Sequence, residues 1–412
     1  MVGEFGVTGA DVSRRRLLAI GGAAAAAFVA RGPIRAQLGD LAQAIHGDAG
    51  YGPLGAPDAL GVRVPPGFRA TLVGRTGDPI GSSGHVWHGW PDGGACFAVA
   101  GSDDHIYVSN SELPHDTGGV SATRFAADGR MIDAYPILSG TTNNCAGGAT
   151  PWGTWLSCEE FNEGHVWECD PLGGPASEVP MLGTFRHEAV AVDLERRQVF
   201  LTEDQPDGRL YRFRPNVWPD LTGGVLEAAG VRDSVVSWVP VAHDQPERSS
   251  ATTAFDGGEG VVIDGDVMLF ATKGDRRIWQ IELTTGRLSV FHDCLARPDT
   301  ALTHVDNLAL HPTTRHLFVA EDGGDMDLCM LTRDGSEPVV TRIVRFEGHA
   351  GSEVTGPAFS PDGSTLYLSS QRGTDGRGVT IRVDGPWARW LSSIDGPATV
   401  GSLPVRLDSF EV

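Results

Sequence analysis

Lysine is almost missing from this chain. Its 412 residues include 32 Lys and Arg together, and Lys273 is the only Lys. The 53 acidic residues leave a formal net charge of −21. This charge excludes nucleic acid and an anionic membrane surface as expected partners, because like charges repel each other. Bound divalent cations would relieve the repulsion, and a single Lys in such a chain is a candidate for a specific role.

Cysteine and long apolar runs are also scarce. The six Cys residues form no CxxC pair, which excludes zinc-finger and thioredoxin-like sites but leaves one or two disulfides possible. The apolar run that ends at Ala30 is too short and too weakly apolar for a comfortable transmembrane span. We therefore expect no stable membrane insertion.

The start of the chain is typical of an export signal. Ser13-Arg14-Arg15-Arg16-Leu17-Leu18 precedes an Ala- and Gly-rich stretch, as in twin-arginine signal peptides. We predict that residues 1–36 form this signal and that 37–412 form a single domain. The expected partner is then the twin-arginine export machinery, and the expected location is the periplasm or the cell exterior.

The 55 Gly and 26 Pro residues, with short apolar runs, indicate many short strands. A strand–turn–strand unit recurs about every 50 residues, with one longer interval that contains an insertion over 216–245. This repeat predicts an all-β fold, a six-bladed β-propeller. The second strands of the six units are His105–Val108, Trp152–Leu156, Val199–Thr202, Val267–Phe270, Leu317–Ala320 and Leu366–Ser369.

Each unit should bring polar residues to the same rim, because a hairpin places the start of its first strand beside the end of its second. The central example is the stretch 143–160, where Asn143 and Asn144 should lie near Cys158, Glu159 and Glu160. The corresponding pairs are 87–88 with 110–112, 187–188 with 203–204, 256–259 with 272–273, 304–307 with 321–322, and 353–355 with 371–372.

So many carboxylates at one end of a channel would be costly without cations between them. The oxygen ligands suit calcium, and the thiolate of Cys158 suits a softer ion, iron or zinc.

At these residues the chain resembles the PhoX-type alkaline phosphatase family of secreted bacterial propellers. The most specific motifs are Asn144-Cys145-Ala146-Gly147-Gly148, Thr150-Pro151-Trp152-Gly153-Thr154-Trp155, Cys158-Glu159-Glu160, His187-Glu188-Ala189-Val190 and 303–308. The resemblance implies a six-bladed propeller with iron and calcium that hydrolyses phosphomonoesters. Carried over by position, it implies that Cys158, Glu188 and Glu259 bind iron and that Glu159, Asp306, Asn307, Glu321 and Asp322 bind calcium.

One position departs from the family. Gly257 stands where the founding phosphatases have the Arg that holds the substrate phosphate. Lys273 and Arg372, with Asn144, are therefore the residues expected to contact phosphate here.

The sequence thus predicts a metal-dependent phosphomonoester hydrolase with a small-molecule substrate and an iron and calcium cluster. Two alternatives stay open. One is a calcium-dependent lactonase, in which Cys158 would be dispensable. The other is a non-catalytic propeller that uses its rim for protein binding and holds calcium only as a structural ion.

Overall fold

Short antiparallel strands form almost all of the regular structure in the part of the chain that the computed structural model describes, residues 53–298, 300–332 and 338–392. This part also contains a 3-10 turn, Pro180–Leu182, and one short helix, α1 (Trp387–Ser392). Within it, no helix is long and apolar enough to cross a membrane. The predicted signal over 1–36 lies outside the described residues.

The first two sheets follow the chain as simple meanders. They are preceded by two strands that join later sheets, β1 (Val62–Arg63) and β2 (Arg69–Arg75). The first sheet contains β3 (Pro91–Ala98), β4 (His105–Ser111), β5 (Gly118–Phe125) and β6 (Met131–Thr141). The second contains β7 (Asn144–Ala149), β8 (Trp155–Glu159), β9 (Val166–Cys169) and β10 (Ser177–Glu178).

The next nine strands form one continuous sheet. Its first part contains β11 (His187–Asp193), β12 (Gln198–Glu203), β13 (Leu210–Val217), β14 (Asp220–Arg232) and β15 (Val235–Pro240). Its second part contains β16 (Gly258–Asp264), β17 (Val267–Thr272), β18 (Arg277–Glu282) and β19 (Arg287–Asp293). The two parts are joined by the pairing of Val235 in β15 with Arg287 in β19.

Each of the last two sheets includes one strand from the start of the described residues. One contains β20 (Leu308–Leu310), β21 (Leu317–Ala320), β22 (Asp327–Leu331) and β23 (Val340–Phe346), with β1 at its edge. The other contains β24 (Val354–Phe359), β25 (Thr365–Ser370) and β26 (Val379–Asp384), with β2 at its edge. The first two described strands therefore pair with strands of the last two sheets.

The second strand of each hairpin is a continuous apolar run because both of its faces are covered by neighbouring sheets. Two neighbouring residues of β12 show this directly. Phe200 packs in the core between β11–β14 and β16–β19, and Leu201, on the other face of the strand, packs toward β7–β9. The two parts of the nine-stranded sheet thus enclose a hydrophobic core between them, as separate sheets do elsewhere in the molecule.

The first strands of the hairpins contact one another in a closed ring: β3, β7, β11, β16, β20, β24 and back to β3. The all-β, propeller-like class predicted from the sequence is confirmed. The six blades predicted from the sequence are not clearly separated, because within the described residues the hydrogen-bonded sheets number five and one of them has nine strands.

One predicted strand is displaced along the chain. β8 begins at Trp155 and not at Trp152, because Thr150 to Gly153 form a turn closed by the Gly153 N–H donating to the Thr150 carbonyl, at 3.1 Å. Gly153 takes the positive φ of +90° that this turn requires. The shift puts Cys158 and Glu159 inside the strand and not beyond its end.

Candidate metal centre

A β-bulge recurs near the start of the first strand in five hairpins. The strands concerned are β3, β7, β11, β16 and β24. In each of them, two consecutive residues lie opposite a single residue of the following strand. Such bulges re-aim side chains and are frequent beside active sites. The first bulged residues are Asp92, Cys145, Glu188, Glu259 and Gly356, and Asp306 takes the equivalent place before β20.

The second residue of the bulge is small in four of these strands, because neighbouring strands approach closely there. A Cβ on Gly93 would lie 2.5 Å from the Cα of Ala146, and a Cβ on Gly260 would lie 2.3 Å from the backbone N of Leu308. The close approach brings the preceding residues, Asp92, Cys145, Glu188 and Glu259, to one end of the channel.

Three consecutive bulge residues form a buried carboxylate group. One oxygen from each of Glu188, Glu259 and Asp306 lies within 4.8 Å of the other two. Burial raises the pKa of Glu188 well above its usual range, and the charges of Glu259 and Glu160 raise it further. Burial also raises the pKa of Glu259 to about 8, although Lys273 lowers it. Without a cation these carboxylates repel one another.

Asp92 belongs to a second group of carboxylates. One oxygen from each of Asp92, Glu112 and Glu353 lies within 4.8 Å of the other two. The amide nitrogen of Gln371 donates to Asp92 and, at 2.8 Å, to Oε2 of Glu112. Burial raises the pKa of Glu353 to about 7, and the charge of Asp322 adds to the shift.

Cys145 brings a thiol to the same end of the channel. Its Sγ lies within 4.8 Å of carboxylate oxygens of Glu112 and Glu160. Burial raises the pKa of the Cys145 thiol well above its usual range, and nearby carboxylates raise it further. A metal ion at this point would reverse that effect, because a coordinated thiol loses its proton.

These three groups fit the metals that the family resemblance implies. Among the described residues, Oε1 of Glu188 and Oδ1 of Asp92 are buried without a hydrogen-bond partner, which is costly unless a cation satisfies them. Groups made only of oxygens suit calcium, whereas the thiol of Cys145 with two carboxylates suits a softer ion such as iron.

Basic side chains from three hairpins border the acidic cluster. Nζ of Lys273 lies 2.8 Å from Asp204 and 2.8 Å from Glu259, Arg372 lies 2.6 Å from Glu353, and Arg186 is ion-paired with Glu160. These three side chains are between 35% and 38% exposed. Each can therefore reach a solvent-borne anion while still contacting the cluster.

Lys273 covers Gly257, the position at which the resemblance implies a phosphate-binding Arg. Its backbone N–H donates to the Gly257 carbonyl at 2.8 Å, and a Cβ on Gly257 would lie 2.9 Å from Cγ of Lys273. Burial alone would lower the pKa of Lys273, but Glu259 and Asp204 raise it well above its usual range. Lys273 is therefore a fixed cation at this rim.

The predicted hairpin pairs are found in five of the six units. Asn144 pairs with Glu159, His187 with Glu203 and Gly258 with Thr272. In the other two, Oε1 of Glu321 accepts from the His304 N–H at 3.3 Å, and the Glu353 carbonyl accepts from the Gln371 N–H. In the first unit the register is displaced, because Glu112 N–H bonds the carbonyl of Trp90 and not residue 87 or 88.

Several predicted metal ligands converge as expected. Glu188, Glu259 and Asp306 form one group, and Asn307 adjoins it by donating to Oδ1 of Asp306 at 2.9 Å. Asp322 lies beside Glu353, whose pKa it raises.

Other predicted residues lie outside these groups. Cys158 is fully buried in the hydrophobic core between the second and third sheets, on the same face of β8 as Leu156. Glu159 accepts from the backbone of Thr142 and His165 and from the ring N–H of Trp167.

Glu321 and Asn144 are likewise engaged within their own sheets. Glu321 accepts from the backbone and hydroxyl of Thr303 and from the backbone of Asp327. The Asn144 amide accepts from the hydroxyl of Thr141 and donates to Ser157.

Asp92 and Arg186 were missed by sequence reasoning, and Cys145 was cited only as part of a motif. The signal that finds the bulge ligands is an acid or Cys followed by Gly or Ala near the start of a first strand. It marks Asp92-Gly93, Cys145-Ala146, Glu188-Ala189 and Glu259-Gly260. No comparable local pattern marks Arg186, which precedes β11.

Similar solved structures have low identity to this chain. One is a protein of unknown function from Bacteroides thetaiotaomicron, with 10% identity, a TM-score of 0.49, and coverage of 77% of this chain and 76% of that chain. Another is a gluconolactonase from Xanthomonas campestris, with 13% identity, a TM-score of 0.46, and coverage of 82% and 98%. A third is the calcium-binding protein regucalcin from Agrobacterium tumefaciens, with 15% identity, a TM-score of 0.40, and coverage of 77% and 96%.

At these identities and TM-scores, the activities of those proteins do not transfer to this chain. None of the curated proteins matches it. A family model does: the alkaline phosphatase PhoX model matches residues 119–166 and 161–267, which include Cys145, Glu160, Glu188 and Glu259. Over residues 119–267 the chain carries the sequence pattern of the alkaline phosphatase PhoX family.

Proposed function

We propose that this protein is a metal-dependent phosphomonoester hydrolase whose active site is the acidic end of the propeller channel. The observation that carries the proposal is the convergence of Glu188, Glu259, Asp306, Asp92 and Cys145, one from each of five hairpins, inside the region that borders Lys273 and Arg372. The PhoX match over residues 119–267 supports the choice of phosphate over other substrates.

The architecture that best explains this convergence is a six-bladed propeller. The ring of first strands has six members, and a hydrophobic core separates β11–β14 from β16–β19. We therefore treat the nine-stranded sheet as two blades. They are joined where Val235, in the β14–β15 hairpin, pairs with Arg287 in β19. On this view each blade offers one bulge position to the channel.

Two kinds of metal ion fit the ligands. Glu188, Glu259, Asp306 and Asn307 would hold calcium or iron through oxygens, and Cys145 with Glu112 and Glu160 would hold iron. When bound, the metals would lower the pKa of water and neutralise charge on the phosphoryl oxygens. We place Cys145 in the iron role that the sequence had assigned to Cys158, because Cys145 lies among the carboxylates.

The protein's own cations would hold the substrate. Lys273 and Arg372 reach the rim from different hairpins and would donate to phosphoryl oxygens as negative charge develops there. Arg186 would do the same from the side of Glu160. Asn144 is not included, since both ends of its amide are engaged inside the second sheet.

The export assignment belongs to the same proposal. We propose that residues 1–36 direct the chain through the twin-arginine machinery and that 37–412 act as one domain in the periplasm or outside the cell. A folded protein loaded with metal before export suits that route.

A calcium-dependent lactonase is the second candidate. It is favoured by the group Asp92, Glu112 and Glu353, which consists only of oxygen ligands and requires no thiol. In such an enzyme Cys145 would be dispensable, and iron would be absent from the active protein.

Elemental analysis of the purified full-length protein, combined with a substrate panel, separates the two. We expect iron and calcium together, with hydrolysis of p-nitrophenyl phosphate that is lost after chelation. Calcium without iron, together with lactone hydrolysis and no phosphatase activity, would overturn the phosphatase proposal.

A further inference from the structure

A polar pocket of about 290 Å³ opens directly beside the metal centre. Arg186 forms the wall that the two share, because it is ion-paired with Glu160 on the cluster side and also lines the pocket. Its Nε–H is buried and has no hydrogen-bond partner among the residues that the structure describes. A phosphate held at the rim would therefore lie at the entrance to this pocket.

Another part of the wall comes from the segment between β15 and β16, which belongs to the longer interval in the repeat. Gln245 and Arg248 of this segment line the pocket. The segment is anchored: Arg248 is ion-paired with Glu203 and donates to the Asp207 carbonyl at 2.8 Å, and the Gln245 N–H donates to the Thr184 carbonyl at 3.2 Å. The wall is thus preorganised and specific to this unit of the fold.

Most of the lining is polar, and it includes the exposed carboxylate of Glu163. Asn162, Gln205 and Gln245 contribute amide groups, and Nε2 of Gln205 donates to Oδ1 of Asn162 at 3.3 Å. Arg186 and Arg248 are each paired with a carboxylate. A hydroxyl-rich neutral group could replace water at these donors and acceptors, whereas an apolar group would leave them unsatisfied.

We propose that this pocket receives the alcohol part of the phosphomonoester and selects a small polyhydroxylated alcohol, such as a sugar or glycerol. The inference rests on the proposed phosphatase function and deepens it by naming the substrate class. The pocket is at the small end of the range for ligand sites, so it fits one compact group and not an extended chain.

The test compares a hexose 6-phosphate with p-nitrophenyl phosphate on the metal-loaded full-length protein. We expect the double variant Asn162→Leu/Gln205→Leu to lower the ratio of kcat/KM for the hexose phosphate to kcat/KM for p-nitrophenyl phosphate by about tenfold or more, as for lost hydroxyl contacts. Asn216→Leu, an exposed Asn far along the β13–β14 hairpin, is the matched control.

A measurement on the unmodified protein covers the case in which the variant misfolds. Free hexose should compete with p-nitrophenyl phosphate, raising its KM without changing kcat. Equal losses for both substrates, or no competition by hexose, would overturn the pocket assignment. If the unmodified protein hydrolyses neither phosphate ester, the proposed function itself fails, which is a distinct result.

Discussion

Lys273 lies against Gly257, and the space that any side chain at 257 would enter is already occupied by Cγ of Lys273, 2.9 Å from an ideal Cβ. Gly257 also has a φ of +70°, which disfavours other residues. Lys273 therefore brings a cation to the rim at Gly257, from the end of the paired strand β17.

Replacement of Lys273 tests whether it contacts the substrate. Lys273→Ala should lower turnover of a phosphomonoester by about tenfold to a thousandfold, the range for loss of a transition-state charge contact. Metal content should stay the same, and Lys273→Arg should retain more activity than Lys273→Ala. Arg277→Ala, which removes a basic residue paired outside the acidic cluster, is the control. Unchanged kinetics in Lys273→Ala with metals intact would show that another group holds phosphate.

Two cysteines on adjacent strands should behave differently. Cys145→Ser should lose iron and activity, because the thiol lies among Glu112 and Glu160. Cys158→Ala should retain iron and lose only stability, by about 1 kcal/mol, as for removal of a small buried group. Iron analysis and thermal unfolding of both variants give the answer. Iron loss from Cys158→Ala but not from Cys145→Ser would restore the ligand assignment made from the sequence.

Metal removal should destabilise the fold. The carboxylates of Glu188, Glu259 and Asp306 repel one another without a cation, and metal that binds only the folded state stabilises it by mass action. A chelator should therefore lower Tm, and calcium should restore it. Magnesium at the same concentration is the control for ionic strength. An unchanged Tm after confirmed metal loss would contradict this expectation.

The metal-stripped protein should become less stable as pH rises. Burial raises the pKa of Glu353 to about 7 and that of Glu259 to about 8, against an ordinary value of 4.5. Between pH 5 and 8 the folded state then binds more protons than the unfolded state, so the free energy of unfolding falls as pH increases. Denaturant unfolding across this range measures the slope. A rise in stability toward pH 8 in the stripped protein would contradict the burial of these groups.

The close approach of neighbouring strands at the bulges can be tested without metal. Gly260→Ala should lower the free energy of unfolding by about 1–3 kcal/mol, because its Cβ would lie 2.3 Å from the backbone N of Leu308. Gly351→Ala is the matched control, since a Cβ there meets nothing within 4 Å and should change stability by less than about 0.5 kcal/mol. Equal effects in the two variants would mean that the strands are not in contact at this point.

The sequence by itself determined the class of the fold and much of the rim. A repeat of apolar strands and turns specifies antiparallel hairpins, and hairpin pairing is local, so the neighbours of Asn144, Gly258 and Glu353 follow from chain order. The carboxylates of Glu188, Glu259 and Asp306 were found in this way.

Tertiary structure alone decided which thiol faces the channel and which acids share a group. Side chains alternate along a strand, so a shift of β8 by a few residues moves Cys158 into the core, and the bulge in β7 directs Cys145 to the cluster. The pairing of Glu112 with Cys145 and of Glu353 with Asp92 joins residues from different sheets. Such contacts depend on how the sheets close around the channel, and no local pattern encodes that closure.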